Sequence, residues 1–282
     1  MGRFDGVLLT VDFDRTLTAP DSSIPERNLI AIREFMAEGG YFTVNTGRST
    51  NTFRNFIDVI PTNAPLLLYN GSADYENGKL VRTCPIDLDV WETMKIVSQE
   101  FPDMNLEIQG VKTHYLVTCR EESFGYYKAL DWLFEPAVYG MDVGPFIKFS
   151  LFGRVRENSV GSMFSGTPEE LARFDYAEKF LNERFAGKVS VFRAAPRIID
   201  VHTVGVSKLK AARDLQKKLG CKILVCVGDA ENDITMLDGA DYAYCPSDGV
   251  VADRYENVCC CAEGAVADVI YKKIPEILQL QP

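Results

Sequence analysis

Asp12 and Asp14 stand one residue apart in Val11-Asp12-Phe13-Asp14-Arg15-Thr16, directly after the apolar run Val7-Leu8-Leu9-Thr10-Val11. The run is too short and too β-branched for a helix and reads as a buried parallel strand. Alternation at a strand end sends both carboxylates roughly the same way. Ligands in open α/β sheets bind at the carboxyl ends of the strands. Two like charges so placed are costly unless a cation sits between them or one takes a proton, and both escapes are chemistry. A second acidic segment, Gly228-Asp229-Ala230-Glu231-Asn232-Asp233, also follows an apolar run. Alone it reads equally as the acidic cap of a helix N-terminus. Beside Asp12 and Asp14 it reads as part of a hard oxygen cage of the kind Mg²⁺ takes, with water completing the octahedron. Such a cage repels phosphate unless cations and donors offset it. Lys208, within Gly205-Val206-Ser207-Lys208, and the hydroxyl of Thr46, beside the amides of Gly47, are the candidates. Taken singly, they are an exposed helix lysine and a turn threonine.

The elements that must position these groups follow from apolar spacing. Pro25 opens a helix with Leu29, Ile32 and Met36 on its buried face, and Gly39-Gly40 ends it. A strand over 41–44 ends at Asn45-Thr46-Gly47-Arg48. A helix over 50–60 leads to a strand over 65–69, which ends at Asn70-Gly71. This β-α-β-α-β succession predicts a right-handed parallel sheet. Asn77-Gly78 marks a hairpin between 73–75 and 80–82. From about residue 84 the rhythm becomes irregular. Helices over 88–101, 124–134 and from Pro168 (N-cap Thr167) mix with strands over 105–109, 113–119, 146–152 and 188–192, and 158–167 reads as a loop. The parallel rhythm returns with a helix over 207–219, which carries Leu209, Ala212, Leu215 and Leu219 on one face. Strands over 222–227, 241–244 and 258–261, a short helix over 234–237 and a final helix over 265–274 complete it. The expected architecture is α/β: a Rossmann-like parallel-sheet core formed by 1–83 and 195–282, interrupted by an inserted α+β domain over 84–194.

Bulk properties narrow the partners. The formal charge of −10 and pI near 4.9 oppose nucleic acid and anionic membranes through the long-range field. No apolar stretch reaches the length of a membrane span. Met1 to Gly6 lack the apolar core of a signal peptide, and Gly6 breaks the myristoylation pattern. The eight cysteines are scattered without a C-x-x-C pair, and neighbours in Cys259-Cys260-Cys261 would point to opposite strand faces, a poor metal site. Reduced, mostly buried thiols in a cytoplasmic monomer or small homo-oligomer are expected.

In order, Asp12-Phe13-Asp14-Arg15-Thr16, Thr46, Lys208 and Gly228 to Asp233 resemble the four motifs of the haloacid dehalogenase (HAD) superfamily, D-x-D-x-T through G-D-x-x-N-D. The insertion after Asn70-Gly71 and before Gly205 is similar to the Cof-type subgroup with an α/β cap. The resemblance covers the core by motif and the cap by position and size. It implies a Mg²⁺-dependent phosphatase acting on a small phosphorylated metabolite, a sugar phosphate first. Asp12 would form an aspartyl-phosphate, and Asp14 would protonate the leaving alcohol and then activate water. Mg²⁺ would be held by Asp12, the Asp14 carbonyl and Asp229, with Asp233 anchoring its waters and Asn232 in support. Thr46 and Lys208 would hold the transferring group. Gly47, Arg48 and Asn70 are expected to bind substrate, and the cap to choose it; Lys148, Arg154, Arg193, Arg197 and His202 are further polar groups that could contact it, each read first as a solvated surface side chain and His202 as a satisfied structural histidine. A phosphosugar mutase using the same site, a dehalogenase, and a non-catalytic phosphometabolite-binding protein are the competing readings. Asp14 argues against the dehalogenase, because only an alkoxide leaving group needs the second carboxyl. Arg15 departs from the usual D-x-D-G-T, where relatives carry glycine.

Overall fold

The register of three neighbouring strands brings the motif ends together. Val11, at the end of the strand Val7–Val11, pairs in parallel with Val227 on one side and Val44 on the other. The next residues therefore leave the sheet at one level: Asp12 N–H donates to the Val227 carbonyl (2.8 Å) and Asn45 N–H to the Val11 carbonyl (2.8 Å). The full sheet has five parallel strands in the order Glu256–Val258, Tyr242–Pro246, Ile223–Val227, Val7–Val11, Tyr41–Val44. The two central strands are buried at every position, which is why they read as continuous apolar runs.

The computed structural model describes residues 2–118, 121–153 and 165–279. The chain divides into two compact units: Met1–Gly47, Asn55–Arg82 and Ser207–Pro282 form one, and Arg48–Arg54 with Thr83–Val206 form the other. In the first, the strand Leu66–Leu68 meets the parallel sheet through the single bridge Asn45–Leu67. Its own ladder is antiparallel with Ala73–Glu76, whose other neighbour is Lys79–Thr83. The parallel succession expected from the sequence thus continues to a third strand by one bridge rather than a full ladder. The helix Glu26–Ala37 buries Asn28, Ala31, Ile32 and Phe35 instead of the Leu29-Ile32-Met36 face. Asn28 rotates inward because its carboxamide donates to the Leu17 carbonyl (3.0 Å) and accepts from the Ala267 N–H (2.9 Å). The helix expected over 50–60 is one α-turn, Thr50–Phe53, and one tighter turn, Arg54–Phe56.

The second unit is α+β. Its six-stranded sheet runs Val189–Ala195, Ile198–Thr203, Phe146–Phe152, Asn105–Gly110, His114–Thr118, Phe134–Pro136. All pairs are antiparallel except the last. Helices Val90–Glu100 and Pro168–Arg184 cover one face, where Ile108, Phe149, Leu151, Ile199 and Val201 meet Met94, Val97, Phe174 and Leu181. Thr167 caps the second helix in a reciprocal capping box with Glu170. Because Ile198–Thr203 is a strand of this sheet, the chain leaves the unit at Val206, beyond the boundary at 195 that the change of rhythm suggested. The helix expected over 124–134 lies at Glu121–Ala129, and its C-terminal part is the strand Phe134–Pro136. Arg154 and most of the loop expected over 158–167 fall outside the described residues.

Returning to the first unit, helix Lys208–Leu219 starts at the N-cap Ser207 and stops at Gly220, whose φ of 69° is left-handed. Its buried residues are Lys208, Ala211, Ala212, Leu215 and Gln216, so the face is rotated from the one carrying Leu209 and Leu219. Gly71 lets this helix approach: at φ +89°, a Cβ there would stand 2.5 Å from the Ser207 carbonyl oxygen and 2.8 Å from the Ala211 Cβ. Gly71→Ala should cost about 2–4 kcal/mol, combining left-handed strain with overpacking. Urea denaturation measures it, and an unchanged midpoint would contradict the packing described.

Candidate active site

Three buried carboxylates and one buried ammonium occupy the carboxyl edge of the parallel sheet. Lys208 Nζ donates to Asp12 Oδ1 at 2.5 Å and to Asp233 Oδ1 at 2.6 Å. Asp12, Asp229 and Asp233 each offer a carboxylate oxygen within 4.8 Å of the others. Exposure is 6% at Asp12, 3% at Asp229, 0% at Asp233 and 2% at Lys208. The sequence supplies this geometry locally. After Ile223–Val227, Gly228 permits close approach, since a Cβ there would lie 2.6 Å from the Asp233 Cβ. Asp233 Oδ2 then accepts the N–H groups of Asp229 (3.1 Å) and Ala230 (3.2 Å). Asp233 thus does two jobs in this segment: one carboxylate oxygen closes the turn and the other holds Lys208.

The turn after Asp12 explains the preference for glycine in D-x-D-G-T. Arg15 takes φ 60°, ψ 10°, a left-handed conformation costing an L-residue about 1–2 kcal/mol. Its N–H donates to Thr18 Oγ1 (3.2 Å), and its side chain is exposed. The departure is thus absorbed as backbone strain, while Asp12 stays buried and Asp14 half-buried. Thr16, one residue on, donates its hydroxyl to Asp229 Oδ1 at 3.1 Å. The D-x-D-x-T pattern alone names no partner for Thr16; its hydroxyl, four residues after Asp12, is the signal the sequence carries for this contact.

Thr46 is 1% exposed and its backbone is pinned on both sides: its N–H donates to the Leu67 carbonyl and its carbonyl accepts from Asn70 N–H, each at 2.9 Å. The Asn70 carboxamide packs against Gly47, where a Cβ would approach Asn70 Oδ1 to 2.9 Å. Asn45 is the other residue whose role was missed: its carboxamide Nδ2 donates to the Lys208 carbonyl (2.9 Å), tying the start of that helix to the sheet edge. Nothing in one sequence distinguishes this from an ordinary strand-end asparagine. Val251 N–H closes on the Asp229 carbonyl (3.2 Å), and Asn232 is half-buried beside Asp233.

Arg48 groups with the second unit and donates to the Thr52 carbonyl (2.9 Å). The other candidate cations of that unit have protein partners. Lys148 pairs with Asp200 (2.9 Å), and Arg197, 2% exposed, lies 3.4 Å from Glu170. Arg193 holds the Pro196 carbonyl and Glu178. His202 is completely buried, and burial pushes its imidazole down to about 3 despite the Asp200 charge.

Electrostatics define what the cluster lacks. Burial, then the Asp233 charge, push the Asp12 carboxyl up to about 7 against the pull of Lys208. Burial, then Asp12 and Asp233, push Asp229 up to about 8, although the Thr16 hydroxyl favours its ionised form. Burial acts to lower Lys208, but Asp12 and Asp233 outweigh it and hold the ammonium above its usual range. One ammonium does not balance three carboxylates. The donors that remain, carboxylate oxygens of Asp12 and Asp229, are hard and suit Mg²⁺.

Comparison with known proteins agrees with this geometry. A family model described as haloacid dehalogenase-like hydrolase matches residues 9–250. The 5-amino-6-(5-phospho-D-ribitylamino)uracil phosphatase of Bacillus subtilis is 22% identical over 254 residues, covering 83% of this chain and 80% of that protein. A haloacid dehalogenase-like hydrolase from Bacteroides thetaiotaomicron superposes with a TM-score of 0.76 at 16% identity, covering 96% and 100% of the two chains. A sugar phosphatase of HAD subclass IIB superposes with a TM-score of 0.71 at 17% identity, covering 96% and 98%.

A carboxyl whose pKa is higher folded than unfolded stabilises the fold at low pH and loses that contribution as pH rises through the folded value. With Asp12 at about 7 and Asp229 at about 8, against 3.8 unperturbed, metal-free protein should lose thermal stability on going from about pH 5 to about pH 8. Mg²⁺ should restore more stability at the upper end of that range, and Asp229→Asn should flatten the slope. Melting curves in chelator and in Mg²⁺ test this; parallel profiles would contradict it.

Proposed function

The chain belongs to the haloacid dehalogenase-like hydrolases, and from that premise we propose that it is a Mg²⁺-dependent phosphatase of a small phosphorylated metabolite, a sugar phosphate in the first instance. The observation that carries the proposal is the Lys208 ammonium bridging Asp12 and Asp233 beside Asp229. This arrangement fixes one oxygen of Asp12 and leaves its second for attack.

In the first displacement an Asp12 oxygen bonds to phosphorus and the bond to the leaving oxygen breaks, while Asp14 delivers a proton to that oxygen. In the second, Asp14 takes a proton from water, the water oxygen bonds to phosphorus, and the Asp12–phosphorus bond breaks to release inorganic phosphate. Lys208 and the Thr46 hydroxyl, with the amide of Gly47, hold the phosphoryl oxygens as charge spreads over them. Asp12, Asp229 and the Asp14 main-chain carbonyl are the groups that would hold Mg²⁺, with Asp233 reaching it through water. When bound, the ion supplies Lewis-acid neutralisation of the phosphoryl oxygens. Arg48 and Asn70 are assigned to substrate binding, and the inserted domain to substrate choice.

Support for the substrate class comes from the relatives: one is named for a phosphorylated ribityl compound and one neighbour for sugar phosphates. The described cysteines are all free thiols, which supports a reducing compartment such as the cytoplasm. Among the described residues, no helix is long and apolar enough to cross a membrane.

A panel of phosphorylated sugars, polyols and nucleotides assayed with Mg²⁺ for inorganic phosphate tests the reading. Asp12→Asn should lower turnover by at least about 10³-fold, because no other group replaces the nucleophile. Turnover within a few-fold of wild type would remove Asp12 from that role. Isomer interconversion without phosphate release would instead identify a mutase.

A further inference from the structure

The carboxamide of Asn45 touches both chain segments that meet at the buried ammonium. Asn45 follows the strand Tyr41–Val44 and is completely buried. Its Nδ2 donates to the Lys208 carbonyl at 2.9 Å and to Met236 Sδ at 3.5 Å. Lys208 opens the helix Lys208–Leu219, and Met236 lies in the short helix Ile234–Asp238 that follows Asp233 directly. These partners assign the amide orientation, because a carbonyl and a thioether only accept. One Nδ2 proton thus goes to the segment of the ammonium and the other to the segment of its second carboxylate.

The main chain of Asn45 closes a ring. Its N–H donates to the carbonyl of Val11, the residue before Asp12, at 2.8 Å. The ring returns through Lys208, whose ammonium donates to Asp12 at 2.5 Å and to Asp233 at 2.6 Å. Val11, Asp12, Asn45, Lys208, Asp233 and Met236 are all buried and all belong to the first unit. A lysine carries its charge on a flexible four-carbon stem, so two ion pairs at the tip leave the rest of the residue free to shift. The Asn45 carboxamide fixes the other end of the residue, at its main chain.

Stability alone does not account for an asparagine here. Its Oδ1 is buried without a hydrogen-bond partner among the described residues, and an unpaired buried acceptor is costly. The Lys208 carbonyl does not depend on the carboxamide, since its helix offers it the N–H four residues on. An aliphatic side chain would fill the place without the orphaned oxygen, but it would not tie either segment to the strand end.

We infer that Asn45 is a positioning residue: by holding the main chain of Lys208 and the segment after Asp233 to the end of its strand, it sets the ammonium against Asp12 for phosphoryl transfer. The inference rests on the phosphatase reading above and extends it to a residue that touches no reacting atom. Catalysis is sensitive to displacements well below the length of a bond turn, so a loosened lysine costs rate before it costs binding.

Two measurements test it together: kinetics with p-nitrophenyl phosphate and Mg²⁺, and heteronuclear NMR of the Lys208 ammonium in metal-free protein, assigned by its loss in Lys208→Arg. Asn45→Ala and Asn45→Val should each lower kcat by about 10- to 100-fold with a smaller change in KM. Both should shift the ammonium resonance and speed its proton exchange. Asn45→Val removes the donor and the orphaned acceptor at once, so it should melt within about 3 °C of wild type or higher. A kcat within about twofold of wild type in the folded variants would overturn the inference, as would an ammonium signal unchanged in position and exchange. A folded Asn45→Val that loses kcat and melts far below wild type would assign the residue to stability and overturn it too. If the valine does not fit and the variant does not fold, Asn45→Ala decides through kcat and the ammonium signal. Equal turnover in wild type and Asp12→Asn would count against the phosphatase reading alone, since the ammonium signal still reports whether Asn45 holds Lys208.

Discussion

A buried ammonium held between two buried carboxylates is the constraint on which the rest of the site depends. Lys208 reaches Asp12 and Asp233 from the first turn of its helix, so that helix, the first strand and the turn after Ile223–Val227 must keep fixed relative positions. Buried ions are retained only when closely paired, and Lys208 pairs both of its partners through short charge-assisted hydrogen bonds. The pairing is incomplete by design of the cluster. Asp229 adds a carboxylate that no buried cation among the described residues balances, and the upward shifts of Asp12 and Asp229 express that excess. The divalent ion of the proposed mechanism would relieve the same excess, so that the folding problem and the proposed chemistry would share one solution.

Close approach of backbone makes the cluster possible. Gly228 lets Asp233 fold back over the preceding turn, Gly71 admits the helix of Lys208, and Gly47 receives the Asn70 carboxamide. In each case a Cβ would occupy the space a neighbour needs. Arg15 is the counterexample: it holds a left-handed conformation with a side chain that glycine would not carry. The strain is affordable because the Arg15 side chain points to solvent and the hydrogen bonds around the turn, from Arg15 N–H and Thr18 N–H, are intact.

The second unit divides its sheet between two kinds of packing. One face is apolar and covered by two helices. The other carries Glu107, Gln109, His114, Lys148, Ser150, Asp200 and His202, all buried, with cross-strand register aligning His202, Lys148, Gln109 and His114 in one row. Such a face is expensive as mere structure, and its hydrogen bonds give it atom-level specificity instead. Two cations weighed from the sequence as surface side chains or substrate contacts are held by protein partners, Lys148 by Asp200 and Arg193 by Glu178 and the Pro196 carbonyl.

By itself, the sequence determined the strand ends and the groups placed on them. Apolar runs with abrupt polar ends reveal buried parallel strands, because both faces of such strands must be apolar and the chain turns only where it leaves the sheet. Asp12, Thr46 and Asp229 were legible for that reason, and so was the inserted α+β segment, through its change of rhythm. Tertiary structure alone decided which partners those groups take. The Thr16–Asp229 and Asn45–Lys208 bonds join residues far apart in the chain, and no local pattern encodes them. The inward rotation of Asn28, the return to the first unit at Ser207 and the attachment of 48–54 to the second unit depend on partners equally remote. Local propensity is a property of neighbours in sequence; the pairing of buried polar groups belongs to neighbours in space, which only the folded chain defines.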